Sequence, residues 1–148
     1  MIKEIRSSLF FLVILLSGCT SNIKTQPEDK FLYNFGTIIE DGEFYKIDDY
    51  SSEIAWIPGE KFGIRVENIS RNEYALGYEI LRKDEFDGQF KEVTNGGHWK
   101  IAPPINELYE AFLIEESTDF NPGDYFFVVM INGEEARTFS FSIVWPTE

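Results

Sequence analysis

Cys19 and His98 are the only cysteine and the only histidine among 148 residues, set against 26 aspartates and glutamates. Those three facts bound the chemistry the chain can attempt. A thiolate is a strong nucleophile, so Cys19 can accept a covalent group. An imidazole can act as general acid or base, and any Ser-His-Asp arrangement must use His98. No Gly-x-Ser-x-Gly elbow accompanies it. Two carboxylates flanking a glycosidic bond can cleave it, but among this many acids some pair lies close in any fold. Zinc and copper ask for His and Cys clusters, which the chain does not supply. Calcium takes oxygen ligands, and Asp84, Glu85, Asp87 and Gly88, or Asp48 and Asp49, are the places to look. Neither place completes a D-x-[DN]-x-[DN]-G loop with its distal Glu, and a turn rich in Asp and Gly is ordinarily only a turn. No metal and no cofactor are expected.

What surrounds Cys19 gives its thiol a role. Lys3 and Arg6 make a positive start, and Leu9 to Leu16 is an unbroken apolar run. That run is shorter than the roughly 20 residues a membrane-spanning helix needs and has the length of a secretory h-region. It closes on Leu16-Ser17-Gly18-Cys19, which resembles the bacterial lipobox rather than an A-x-A site. The resemblance implies that the Cys19 sulfur accepts a diacylglyceryl group. It also implies that residues 1–18 are removed as a signal peptide and that Cys19 opens the mature, membrane-anchored chain. Small side chains at Ser17 and Gly18 let a peptidase close on the backbone. Thr20 after the anchor, rather than Asp, resembles lipoproteins passed to the outer membrane, facing the periplasm, in Gram-negative cells. In a Gram-positive cell the chain would stay on the outer face of the cytoplasmic membrane. With no further cysteine the domain folds without a disulfide, which an oxidising compartment permits but does not require.

The charge narrows the partners. Thirteen Lys and Arg face 26 acids, a net of −13. Nucleic acid and anionic lipid repel such a surface, so no nucleic-acid partner is expected, and an electrostatically steered partner should be basic. The plain alternative is that the charge keeps an envelope protein soluble.

Along the mature chain, residues 19–30 hold the lipidated Cys and the polar segment Thr20–Lys30, which reads as a flexible tether of about 40 Å at most. From residue 31 to 148 the pattern is that of one β domain. Phe31, Tyr33 and Phe35, then Phe62, Ile64 and Val66, then Leu76, Tyr78 and Ile80 alternate with other residues at period two. Glu53–Ile57 is a short strand stopped by Pro58-Gly59, and His98–Ala102 is another before Pro103-Pro104. Leu108–Glu116 fits helix or strand, with strand favoured by the β-rich tail. Tyr125–Ile131 is apolar on both faces, as a central strand should be. Asn132-Gly133 then marks a hairpin, with Phe139, Phe141 and Ile143 returning. About seven short strands without a long amphipathic helix predict an immunoglobulin-like antiparallel β-sandwich.

Ile57-Pro58-Gly59-Glu60-Lys61-Phe62-Gly63 and Phe120-Asn121-Pro122-Gly123-Asp124-Tyr125, with Phe139-Ser140-Phe141, resemble a family of bacterial immunoglobulin-like domains of unknown function. The resemblance spans Phe31 to Val144 and implies a fold but no reaction. Asn95 to Pro104 (NGGHWKIAPP) is the stretch most suited to contact, with Asn95, His98 and Trp99 as candidate ligand or partner residues. The alternative is that Trp99 plugs the core and His98 is a solvated turn residue; Trp56 reads as core or edge packing. The expected function is a non-enzymatic envelope module that binds a protein partner by a sheet edge or its loops. Two alternatives stand beside it. One is a small hydrolase using His98 or a carboxylate pair in a cleft. The other is a protease-inhibitor-like domain presenting Asn95 to Pro104 as a rigid protruding loop.

Overall fold

The computed structural model describes residues 30–94 and 96–147. The leader, Cys19, the tether before Lys30, and Asn95 lie outside the described residues. Ten strands follow one another: β1 (Phe31–Asp41), β2 (Phe44–Asp49), β3 (Glu53–Ala55), β4 (Lys61–Asn68), β5 (Tyr74–Lys83), β6 (Phe90–Glu92), β7 (Gly97–Ile101), β8 (Glu107–Leu113), β9 (Gly123–Ile131) and β10 (Glu134–Val144).

The strands divide into two sheets. One runs β2-β1-β4-β8, antiparallel throughout. The other runs β3-β10-β9-β5, with β7 and β6 pairing successive stretches of β5. β3 lies parallel to β10, and the remaining pairs are antiparallel. The chain changes sheet between β2 and β3, β3 and β4, β4 and β5, β7 and β8, and β8 and β9. This is the immunoglobulin-like arrangement, in which the last two strands share a sheet with a middle strand and the other sheet is built around the first long strands and the strand before the last two. A further hallmark closes the corner before β9. Tyr125, fully buried, donates its hydroxyl to the Asn121 carbonyl four residues upstream, the geometry of a tyrosine corner.

Period-two alternation explains the core. Phe62, Ile64 and Val66 of β4 are fully buried and face Tyr125, Phe127 and Val129 of β9 and Phe141 of β10. Rings do the work that an inter-sheet disulfide does in other sandwiches. Phe35 lies 4.7 Å from Phe141 and 6.0 Å from Phe127, and Phe62 meets Phe120 edge-on at 5.0 Å. Such pairs add about 0.5–1.5 kcal/mol each beyond the area they bury. In the first sheet Gly36 and Gly63 stand opposite each other. A Cβ on Gly63 would meet the Glu110 carbonyl oxygen at 1.8 Å, so only glycine fits.

The strand count exceeds the expected seven or so because β2 and β6 bury almost nothing, although they hold Phe44, Tyr45, Ile47 and Phe90. Of β2 only Ile47 is buried, and all of β6 is exposed. Their backbones complete sheet edges while their side chains face water. Leu108–Glu116 resolves as strand over its first part, fixed by pairing with β4 from Glu67↔Glu107 to Lys61↔Leu113. Asn132 and Gly133 both take positive φ, 54° and 81°, as a two-residue hairpin turn of the primed type requires.

Candidate functional site

Two edge strands, β8 of the first sheet and β7 of the second, border one side of the sandwich. Phe112 on β8 reaches across to Tyr78 on β5, 5.1 Å away and edge-on. Tyr78 in turn carries the Trp99 ring of β7, stacked at 5.4 Å with 24° between planes. The position of Trp99 depends on Gly97, its neighbour on the same face. A Cβ there would lie 1.9 Å from the indole Cη2 and 2.6 Å from the Tyr78 ring. Gly97 is therefore what lets the indole fold back over the seam. Trp99 stays 38% exposed, so it is neither a core plug nor a fully free ring.

Glu110 adds charge to this aromatic row. It stands opposite Ile64 in the β4–β8 register, between Leu108 and Phe112 on the inward face. It is half-buried and makes no hydrogen bond or ion pair with the described residues. Burial holds its carboxyl above the usual carboxylate range. The Tyr78 hydroxyl is raised as well, first by burial and then by the charge of Glu110. The two groups are thus within electrostatic reach of one another. An aromatic platform beside an unpaired carboxylate can accept a cation, by cation–π attraction and by charge-assisted hydrogen bonds.

Of the predicted contact residues, Trp99 lies on this face and His98 does not. Successive side chains of a strand point to opposite sides, so His98 projects from the outer face of the second sheet. There its Nδ1 lies 3.2 Å from where a Gly77 Cβ would be, with Met130 alongside. Asn95 lies outside the described residues. Gly97–Ile101 pair with β5 from Tyr78 to Tyr74, so much of the stretch Asn95–Pro104 is strand and not the protruding loop an inhibitor would need. Trp56 packs against the core and donates its indole N–H to the Phe120 carbonyl at 3.0 Å. Sequence alone does not single out Tyr78 and Glu110 as contact residues. A signal for Glu110 does exist in the alternation of Leu108, Glu110 and Phe112, where an acid occupies the inward position.

The hydrolase alternative asks for His98 or two shifted carboxylates in a cleft. A cleft of about 430 Å³ lies at one end of the sandwich, lined among others by Arg82, Asp84, Phe86, Lys91 and Asp119. His98 is not among its lining residues. Asp84 is held below the usual range by its hydrogen bond from Lys91 and by the Phe86 and Asp87 amides. Lys91 also bridges to Asp87 at 3.1 Å. The acidic turn considered for calcium is thus closed by a lysine and its own backbone. Arg82 donates to the Pro122 carbonyl at 2.8 Å and faces the Tyr125 ring, which ties it to the corner. Glu110 is the one described carboxyl seen to rise, and it lies at the β8 seam.

Comparison with known proteins bears on the fold. No protein-family model matches the chain, and no curated protein matches it. Among solved structures it is similar to an immunoglobulin-like protein of Pseudomonas aeruginosa, with 17% identity and a TM-score of 0.51, over 76% of this chain and 92% of that one. Looser matches include the soluble domain of PmoD from Methylocystis, with 13% identity, a TM-score of 0.42 and coverage of 77% and 90%. A β-glucosidase from Listeria innocua matches over 76% of this chain but 16% of its own, with 10% identity and a TM-score of 0.44. Topology, tyrosine corner and the Pseudomonas likeness agree that the described chain is an immunoglobulin-like β-sandwich.

Proposed function

We propose that this chain is a bacterial envelope lipoprotein, held to its membrane by a lipid on Cys19, whose sandwich domain binds a protein partner without catalysing a reaction. In a Gram-negative host it faces the periplasm from the outer membrane. The observation that carries the binding reading is the seam itself, where half-exposed Trp99 lies over Tyr78 and the unpaired Glu110 turns inward between two sheet edges. An edge strand offers a row of backbone donors and acceptors to an incoming strand. A partner segment with a lysine or arginine aimed at Glu110 and Trp99 fits both this seam and the acidic surface. The lipobox residues Leu16-Ser17-Gly18-Cys19 support the anchor.

Crosslinking and pull-down from intact cells test the proposal, with the wild-type chain beside Trp99→Ala, Glu110→Gln and Cys19→Ala. The expected result is one envelope partner, lost in the first two variants and weakened when the anchor is removed. Equal capture by all four proteins, or no capture at any crosslinker length, overturns it.

A further inference from the structure

The three most exposed aliphatic side chains of the described chain gather at one end, while the exposed rings of Phe44, Phe86 and Trp145 lie at the other. Ile69 is 53% exposed, Ile105 52% and Leu32 47%. All three belong to the end of the sandwich where the chain arrives from Cys19. Ile69 donates its amide to the Lys30 carbonyl at 2.8 Å, and the Asn68 amide donates to the Asn106 carbonyl at 2.6 Å. The chain entry, the β4–β5 loop and the β7–β8 connection are thereby bonded into one surface. Asn68 stiffens it from beneath: its buried side chain donates to the Asn72 carbonyl and accepts from Ser70, both at 2.7 Å.

The charge at this end is mixed, acids and bases together. Ala102-Pro103-Pro104-Ile105-Asn106 holds no charged residue in a chain of net −13. Lys30 and Arg71, both exposed, make no ion pair with the described residues. Glu73 and, on the β9–β10 hairpin beside Ala75, Glu134 and Glu135 belong to this end as well, but more acids crowd the opposite end, with Asp84, Glu85 and Asp87 in one turn and Glu115, Glu116 and Asp119 in another. A single exposed isoleucine needs no explanation. Three exposed aliphatics, an uncharged proline-rich loop, and two cations without an ion pair among the described residues gather around the tether's point of entry.

We infer that this end of the domain rests on the phospholipid surface, with Ile69 and Ile105 entering the boundary between headgroups and acyl chains and Lys30 and Arg71 meeting lipid phosphates. The inference rests on the Cys19 anchor. Eleven residues, Thr20 to Lys30, span at most about 40 Å when extended, so an anchored domain meets its bilayer at high effective concentration. Shallow apolar insertion with basic residues at phosphate depth is the usual mode of interfacial attachment. Repulsion between anionic lipid and the acidic far end turns the same end downward. The strands then stand upright on the membrane, and the Trp99–Glu110 seam faces sideways.

The test uses full-length protein lipidated in bacterial cells and placed in vesicles of phosphatidylethanolamine and phosphatidylglycerol. Lipidation consumes the Cys19 thiol, so one introduced cysteine is the sole site for an environment-sensitive fluorophore. Three proteins are labelled: Ile69→Cys and Ile105→Cys at the proposed contact, and Glu116→Cys at the far end. The expected result is a blue shift and a several-fold rise in emission for the first two, quenched by brominated lipid, with Glu116→Cys unchanged. Charge placed beside the probe, as Ile69→Asp in the Ile105→Cys protein, should abolish the shift. Intact mass reads the anchor separately. Lipid on Cys19 with all three probes in water overturns the docking alone, whereas absence of lipid mass removes the anchor and the docking with it.

Discussion

Replacing Tyr125 with phenylalanine deletes one buried hydroxyl and the bond it donates to the Asn121 carbonyl. At neutral pH that bond is worth about 1–1.5 kcal/mol, at the lower side here because exposed Asn121 can turn its carbonyl to water. The alkaline limb is more diagnostic. Burial pushes the Tyr125 hydroxyl from 10.0 up to about 12. The unfolded chain therefore gives up this proton first, and stability falls as pH rises between those two values. With a limiting slope of about 1.36 kcal/mol per pH, the loss reaches about 2.3 kcal/mol near pH 12 and approaches about 2.7 kcal/mol above it. Tyr74, Tyr78 and Tyr109 are also raised, each chiefly by burial, but they titrate in both proteins and cancel in the difference. Urea unfolding followed by tryptophan fluorescence from about pH 8 to about pH 12 gives the two curves. The phenylalanine variant should be the weaker protein at neutral pH, and the gap should close and reverse toward the alkaline end. Curves that run parallel throughout would refute the corner as a buried, proton-holding contact.

Glu110→Gln should stabilise the fold at neutral pH by up to about 1 kcal/mol, because it removes a half-buried charge. Since burial raises this carboxyl, its destabilising effect appears as pH rises through the folded value and is absent in acid; urea melts at both ends check this, and a weaker variant at neutral pH would mean Glu110 has a partner. Gly97→Ala should lift the indole off Tyr78, press on the Tyr78 ring that packs against the core, change tryptophan emission and partner capture, and cost about 1–3 kcal/mol by overpacking. Glu107 is held below the usual range by Arg65, which bonds it at 2.8 Å and also reaches Glu67 and Asn34. Glu107→Gln should therefore lose about 0.5–1 kcal/mol at neutral pH after solvent screening, with the difference vanishing as native Glu107 protonates in acid; a difference that persists there would argue for packing instead.

The sequence was most readable where burial and backbone geometry impose the same demand. Phe62, Ile64 and Val66 must alternate because one face of β4 meets the core, and Asn132-Gly133 must turn because few other pairs accept two positive φ values. β2 and β6 were illegible for the opposite reason: an edge strand bonds through its backbone, which every residue shares. The site was half legible. Trp99 stood out as a tryptophan in a glycine-rich stretch, but grouping it with His98 ignored the alternation that sends them to opposite faces. Glu110 was hidden among 26 acids. Only the register against Ile64 reveals which one turns inward, and register depends on long-range pairing that no local window contains.

The placement of β1 has a mechanical consequence. Its first eight residues, Phe31 to Ile38, are paired with β4, and its far end, from Thr37 to Asp41, is paired with β2. A pull arriving at Lys30 runs lengthwise along that strand. The ladder bonds lie across such a load and resist it together, in shear, where a pull at right angles would open them one by one. Survival under tension follows the unfolding rate more than the equilibrium stability. A pull at Lys30 is thus met by a strand paired along its length, with β4 over its first part and β2 over its last.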